Sequence, residues 1–120
     1  MIVTKFRRGA PSWRLLTLLG ASLLIVSQIA LLAYAAETHD IIQKDRSFNL
    51  KEITIAAGDT IKFHNNDDFI HQIYLDSKIF NFDTDESPPG NTITIKFATR
   101  GTFEVHCHIH PKMGLTVNVN

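Results

Sequence analysis

Beyond Glu37, apolar and polar residues alternate in short runs, as in Ile53-Thr54-Ile55, Thr60-Ile61-Lys62-Phe63 and Thr92-Ile93-Thr94-Ile95-Lys96-Phe97. A period of two sends successive side chains to opposite faces, so each run predicts a strand with one buried face. Turn-forming residues separate the runs: Ala57-Gly58-Asp59, Asn65-Asn66-Asp67-Asp68, Ser87-Pro88-Pro89-Gly90 and Arg100-Gly101. Strands are expected near 39–44, 47–55, 60–65, 70–75, 92–98, 102–107 and 114–119, with an irregular excursion over 76–91. No segment after Glu37 carries a helical period. Seven short strands at this spacing predict an all-β fold, a Greek-key β-sandwich.

The first third of the chain follows a different pattern. Lys5, Arg7, Arg8 and Arg14 precede an apolar stretch from Leu15 to Ala33, and Ala33-Tyr34-Ala35 puts small residues at the two positions a signal peptidase reads. Residues 1–35 are therefore expected to be a signal peptide whose removal leaves 85 residues. Alternatively they are a retained anchor, because Leu15 to Ala33 is about as long as a spanning helix needs. Either way the positive flank stays inside, and the domain at 36–120 is expected in the periplasm or on the extracytoplasmic face of the membrane. Membrane contact is expected only through residues 15–33, and only if the segment is not cleaved.

Charge narrows the set of partners. Lys and Arg balance Asp and Glu at 12 each, but four of the basic residues precede the apolar stretch, so residues 36–120 carry 8 basic against 12 acidic side chains. A mildly acidic domain without a basic stripe lacks the footprint that a phosphate backbone selects, so no nucleic acid is expected as a partner. Cys107 is the one cysteine, which leaves an exported chain without an internal disulfide and with a thiol to explain.

The chemistry concentrates around that thiol. Phe103-Glu104-Val105-His106-Cys107-His108-Ile109-His110-Pro111-Lys112-Met113-Gly114 runs from the end of one expected strand to the start of the next. Within it, Cys107, His110 and Met113 offer a thiolate, an imidazole and a thioether from one short loop, a set suited to copper in both oxidation states. A second imidazole would complete a trigonal His2Cys set with a weak axial Met. His71, at a turn-to-strand junction, is the best candidate, since a Greek key brings distant segments together. Alone, Cys107 would be read as a small buried hydrophobe and Met113 as core filler. Imidazoles gathered at the same loop change that reading, because burying them without partners costs free energy.

The Cys107-x2-His110-x2-Met113 spacing resembles the short ligand loop of amicyanin-like proteins, and the chain from about 39 to 119 resembles the small cupredoxins, the type 1 (blue) copper proteins. Phe48, the run Ile53 to Phe63, Asn65-Asn66-Asp67 and the closing Gly114-Leu115-Thr116-Val117-Asn118-Val119 add to the likeness. The resemblance implies two packed β-sheets and one type 1 copper ion near one end of them. It also implies outer-sphere electron transfer with transient redox partners and no substrate chemistry. His71, Cys107, His110 and Met113 would be the ligands, His110 the electron port, and a monomer is expected. Two positions depart from the family: Gln72 stands where relatives often place Asn, and His108 where small residues are usual.

Other readings compete for the same residues. Copper storage or delivery outside the cytoplasm uses the same ligands without cycling the metal. His106-Cys107-His108 is also similar to the His-Cys-His element of multicopper oxidases, but a trinuclear cluster needs further His-x-His pairs and only His39 and His64 remain. Strand alternation should turn His106 and His108 outward, as solvated side chains or as a second metal site. Asp83, Asp85 and Glu86 are expected to be a solvated loop or an acidic docking patch.

Overall fold

The alternating runs do form strands. The computed structural model describes residues 35–120, so the leader expected over residues 1–35 lies, Ala35 aside, outside them. Nine strands follow in order: β1 (Thr38–Lys44), β2 (Ser47–Phe48), β3 (Glu52–Ile55), β4 (Asp59–Asn65), β5 (Ile73–Leu75), β6 (Phe82–Asp83), β7 (Thr92–Phe97), β8 (Gly101–Cys107) and β9 (Gly114–Val119). They make two mixed sheets, ordered β2-β1-β4-β7 and β3-β9-β8-β5-β6. Parallel pairing joins β1 to β4 and β3 to β9; the other pairs are antiparallel. No helix occurs among the described residues. Described residues that are all-β, with two sheets sharing one core, are consistent with a β-sandwich.

The inward faces explain where the site lies. Every second residue of β4 is buried: Asp59, Ile61, Phe63 and Asn65. On β8 the buried row is Phe103, Val105 and Cys107, and on β5 Ile73 and Leu75. The alternation runs past the strand ends, so His71 continues the row of β5, while Met113 continues that of Leu115, Val117 and Val119 on β9. Phe63, Phe97 and Phe103 are almost fully buried, and each such ring contributes about 1.5–3 kcal/mol. Apolar rows thus end in donor-bearing residues, and packing of the core carries those residues together.

Three expectations are corrected. The single strand expected over 47–55 is two, because β2 belongs to one sheet and β3 to the other, with Asn49 to Lys51 crossing between them. The strand expected over 70–75 shrinks to Ile73–Leu75; His71 pairs instead with Ser87 in an isolated bridge, His71 N–H to Ser87 O at 3.0 Å and Ser87 N–H to His71 O at 2.7 Å. The excursion over 76–91 holds the short β6, and Phe80 pins it to the core with its ring 5.3 Å from Phe97 and 5.5 Å from Phe103.

Candidate metal centre

Three donors from three segments converge. Cys107 Sγ lies 3.7 Å from His71 Nδ1 and 3.8 Å from His110 Nδ1, and the two Nδ1 atoms are 3.1 Å apart. This is the one trio of such donors among the described residues. Imidazole and thiolate donors about 2.0–2.3 Å from a shared cation stand about 3–4 Å apart, and all three separations fall there. Cys107 and His71 are buried and His110 is half-buried.

The hydrogen bonds of His71 decide which nitrogen faces inward. Its Nε2 lies 3.1 Å from Asp67 Oδ2. With the Nε2 proton donated to that carboxylate, Nδ1 presents a lone pair to the other two donors. Two imidazole lone pairs and a sulfur directed at one point repel one another unless a cation shares them, so the donor set fits a bound metal.

Asp67 is itself held. Its Oδ2 accepts the Arg46 backbone N–H at 2.7 Å and its Oδ1 the Asp68 N–H at 2.9 Å, while its own N–H donates to Asn65 Oδ1 at 3.0 Å. Burial pushes the carboxyl of Asp67 up, but these N–H donors and His71 outweigh it and hold the group below its ordinary value. Asn65 spends its amide protons on Phe69 O and Ser87 O, both at 2.8 Å. The turn that carries Arg46 is strained: Asp45 and Arg46 take φ of 52° and 56°, the two-residue hairpin geometry that suits Asp better than Arg. That turn delivers the 2.7 Å bond to Asp67 and lays the Arg46 guanidinium 4.0 Å over the ring of Phe69.

The Cys107 sulfur accepts one N–H, from Gln72 at 3.5 Å. The loop from Cys107 closes as a turn in which Met113 N–H donates to His110 O at 3.0 Å. His110 sits where this loop meets solvent, with the Phe69 ring edge-on at 6.1 Å. Burial first, then the charges of His71 and Arg46, hold its imidazole below the ordinary histidine value. Exposed Phe69, Ile109 and Pro111 adjoin it, and Arg46 and Lys112 line the same shallow recess.

The remaining histidines stay out of this centre. His106 and His108 do turn away from Cys107, but neither is merely solvated. His108 stacks on Tyr74 at 3.9 Å and its Nε2 lies 3.1 Å from both oxygens of Asp83, while His106 is half-buried with its ring 5.8 Å from Tyr74. Asp85 and Glu86 are exposed. His39 pairs with Asp59 at 2.9 Å and His64 with Asp40 at 2.6 Å, both far along the chain from the ligand loop. Among buried side-chain polar atoms, Ser87 Oγ has no partner.

Sequence reasoning missed Asp67, Asn65 and Ser87. Asp67 carried a signal, a carboxylate four residues before a candidate ligand within a turn; Ser87 carried none, since its role is made by its backbone.

Comparison with known proteins bears on most of the chain. A family model for the cupredoxin-like domain matches residues 15–117. A chloroplastic plastocyanin of Physcomitrium patens is 27% identical, covering 90% of this chain and 72% of that protein. Among solved structures, amicyanin of Paracoccus versutus has a TM-score of 0.65 at 22% identity, covering 74% of this chain and 87% of the amicyanin. A copper-containing nitrite reductase of Thermus scotoductus has a TM-score of 0.64 at 24% identity over 69% of this chain, which spans only 22% of that enzyme. At these identities the two structural likenesses show the fold.

Proposed function

The chain belongs to the cupredoxin family, and from that premise we propose that it is a type 1 copper protein that carries single electrons outside the cytoplasm and is not itself an enzyme. His71, Cys107 and His110 would hold the copper as its three strong ligands, with Met113 as a weaker fourth. The observation that carries this reading is the convergence of two imidazole Nδ1 atoms and one sulfur within 3.8 Å of one another. Met113 is supported by register: the β8–β9 ladder ends at His106 with Gly114, and one step further sets Met113 opposite Cys107 on the same buried face.

Copper in this ligand set supplies one-electron cycling between Cu(I) and Cu(II), which sulfur and imidazole donors accommodate in both states. The chain supplies fixed geometry. Asp67 orients His71, the bridge to Ser87 fixes its backbone, and core packing holds Cys107 and Met113, so little has to move when the charge of the centre changes. His110 is the port: it is the ligand nearest solvent, ringed by the exposed Phe69, Ile109 and Pro111. Redox partners dock there through small, transient interfaces, and the protein acts as a monomer.

The test is spectroscopic. Purified chain loaded with Cu(II) should show an intense blue thiolate-to-copper band, which Cys107→Ser should abolish. Weak tetragonal copper signals that survive the substitution would overturn the ligand set, and copper handling through the outer histidines would replace it. Ready loss of Cu(I) to a chelator during redox cycling would favour storage or delivery over electron transfer.

A further inference from the structure

Arg46 occupies a place that its backbone does not favour. Asp45 and Arg46 form the two-residue turn between β1 and β2 with φ of 52° and 56°, a left-handed conformation that Gly or Asn adopts at least cost and a long side chain adopts with strain. Strain of this kind persists where the surroundings hold it, and it clusters at sites that use it. The N–H of residue 46 serves Asp67, but any residue other than proline would supply that donor. What distinguishes Arg from Gly at this turn is therefore its side chain.

That side chain is arranged for a counter-charge it does not have. The guanidinium lies 4.0 Å over the ring of Phe69, which in turn meets the His110 ring at 6.1 Å. Arg46 and Lys112 are both exposed and line one recess with His110. Every ion pair among the described residues is made by a histidine, so neither cation has a carboxylate of its own. Asp45 is the one acidic residue in the same recess, and it pairs with neither. The recess thus carries two cations and one anion, in a domain whose 8 basic and 12 acidic side chains have the opposite balance. Contact with the Phe69 ring holds the guanidinium in place before anything binds, which lowers the ordering cost of a later ion pair.

We propose that Arg46, held on Phe69, and Lys112 form a cationic seat beside the electron port, and that the redox partner of this chain is a protein presenting carboxylates there around its own cofactor. The proposal rests on the electron-carrier reading for the identity of the occupant; the seat itself exists in the chain without metal. A partner carboxylate takes two N–H donors from the Arg46 fork and a point charge from Lys112, while Phe69, Ile109 and Pro111 supply the apolar contact that brings the partner's cofactor to the His110 edge. Charges at the rim of such an interface act chiefly on the rate of encounter and on the choice of partner.

The experiment uses the full chain, copper-loaded and reduced, with cytochrome c as the probe in two forms: native, with a basic face around its haem, and succinylated, with that face made acidic. Electron-transfer rates are compared at an ionic strength of about 0.1 M, where charges more than about 10 Å apart are largely screened and the net charge of the domain counts for little. Arg46→Gln and Lys112→Gln should each slow reaction with the acidic form by about threefold or more and should not slow reaction with the basic form. Gln keeps the residue 46 N–H, so the blue band reports an intact centre in these variants. Lys96, exposed on β7 and paired with Thr60 at the end of β4 away from Asn65, is the control: Lys96→Gln removes the same charge far from the recess and should leave both rates near wild type. Equal slowing by Lys96→Gln, or acidic-form rates indifferent to Arg46 and Lys112, would overturn the proposal. A chain that exchanges electrons with neither form would remove the carrier reading instead, and titration of the metal-free chain with succinylated cytochrome c then decides the seat. Tighter binding by wild type than by Arg46→Gln supports it, and equal or absent binding overturns it.

Discussion

The two imidazoles of the metal centre are built in opposite ways. His71 is fully buried, bonded through Nε2 to Asp67, and bridged through both backbone groups to Ser87. Its position depends on the β1–β2 turn, the end of β4, the residues before β5 and the segment before β7. His110 depends on one short loop, closed by a single turn bond from Met113, and meets solvent beside Phe69. The centre therefore has an anchored half and an accessible half. Rigidity comes from long-range contacts that exclude water, whereas access needs a ligand whose surroundings are few and local.

The largest test removes one ring at a time. His71→Gly and His110→Gly should both lose the blue spectrum, but added imidazole should restore it in His110→Gly, where the vacated space opens to solvent. The same imidazole should fail in His71→Gly, whose site is sealed. Equal rescue of both would erase the distinction. A smaller effect is expected from Asp67→Asn, which weakens the orientation of the buried ring: copper affinity should fall by about 10–100-fold, measured by competition with a chelator, while Phe69→Ala on the open side should leave affinity near wild type.

The smallest effect lies at the far end of β4, away from both halves. Asp59 accepts from His39 Nε2 and from the N–H groups of Glu37 and Ala56, and these bonds lower its pKa to about 2 from the usual 3.8. A depressed carboxylate pKa stabilises the fold above the unfolded value, and that contribution is lost as pH falls through the folded one. Asp59→Asn should lower the melting temperature at pH 7 without altering the copper spectrum, and the gap from wild type should close between pH 4 and 2. A gap that persists at pH 2 would mean that Asp59 acts through shape alone.

Local alternation exposed most of the fold. β4, β7, β8 and β9 lie within a residue or so of where their period of two places them, because each turns one face to the core, buried on β4, β8 and β9 and half-buried over most of β7. What stayed hidden was set by tertiary geometry. β2 and β3 read as one strand since nothing in the alternation of Ser47 to Ile55 marks a change of sheet. His71 read as part of a ladder, yet its partner Ser87 comes from an excursion without periodicity. The loop ligands were legible because their chemistry is unusual and their spacing tight. Asp67 acts through a hydrogen bond whose partner, Arg46, is 21 residues away, and no local pattern announces such a pair.

The position of β9 bears on how the chain reaches this state. β9 lies between β3 and β8, pairing Glu52 with Thr116 in parallel and Gly101 with Val119 in antiparallel register. It also follows the ligand loop in chain order. The larger sheet is therefore split until β9 inserts, and the contact that joins its halves closes one of the longest loops in the domain. Such non-local pairing has a high entropic barrier and makes for slow folding. During synthesis β3 has to wait without any strand partner until the loop bearing His110 and Met113 has already emerged. Ligand assembly is thereby tied to the last topological step, so a copper-competent centre reports a completed fold.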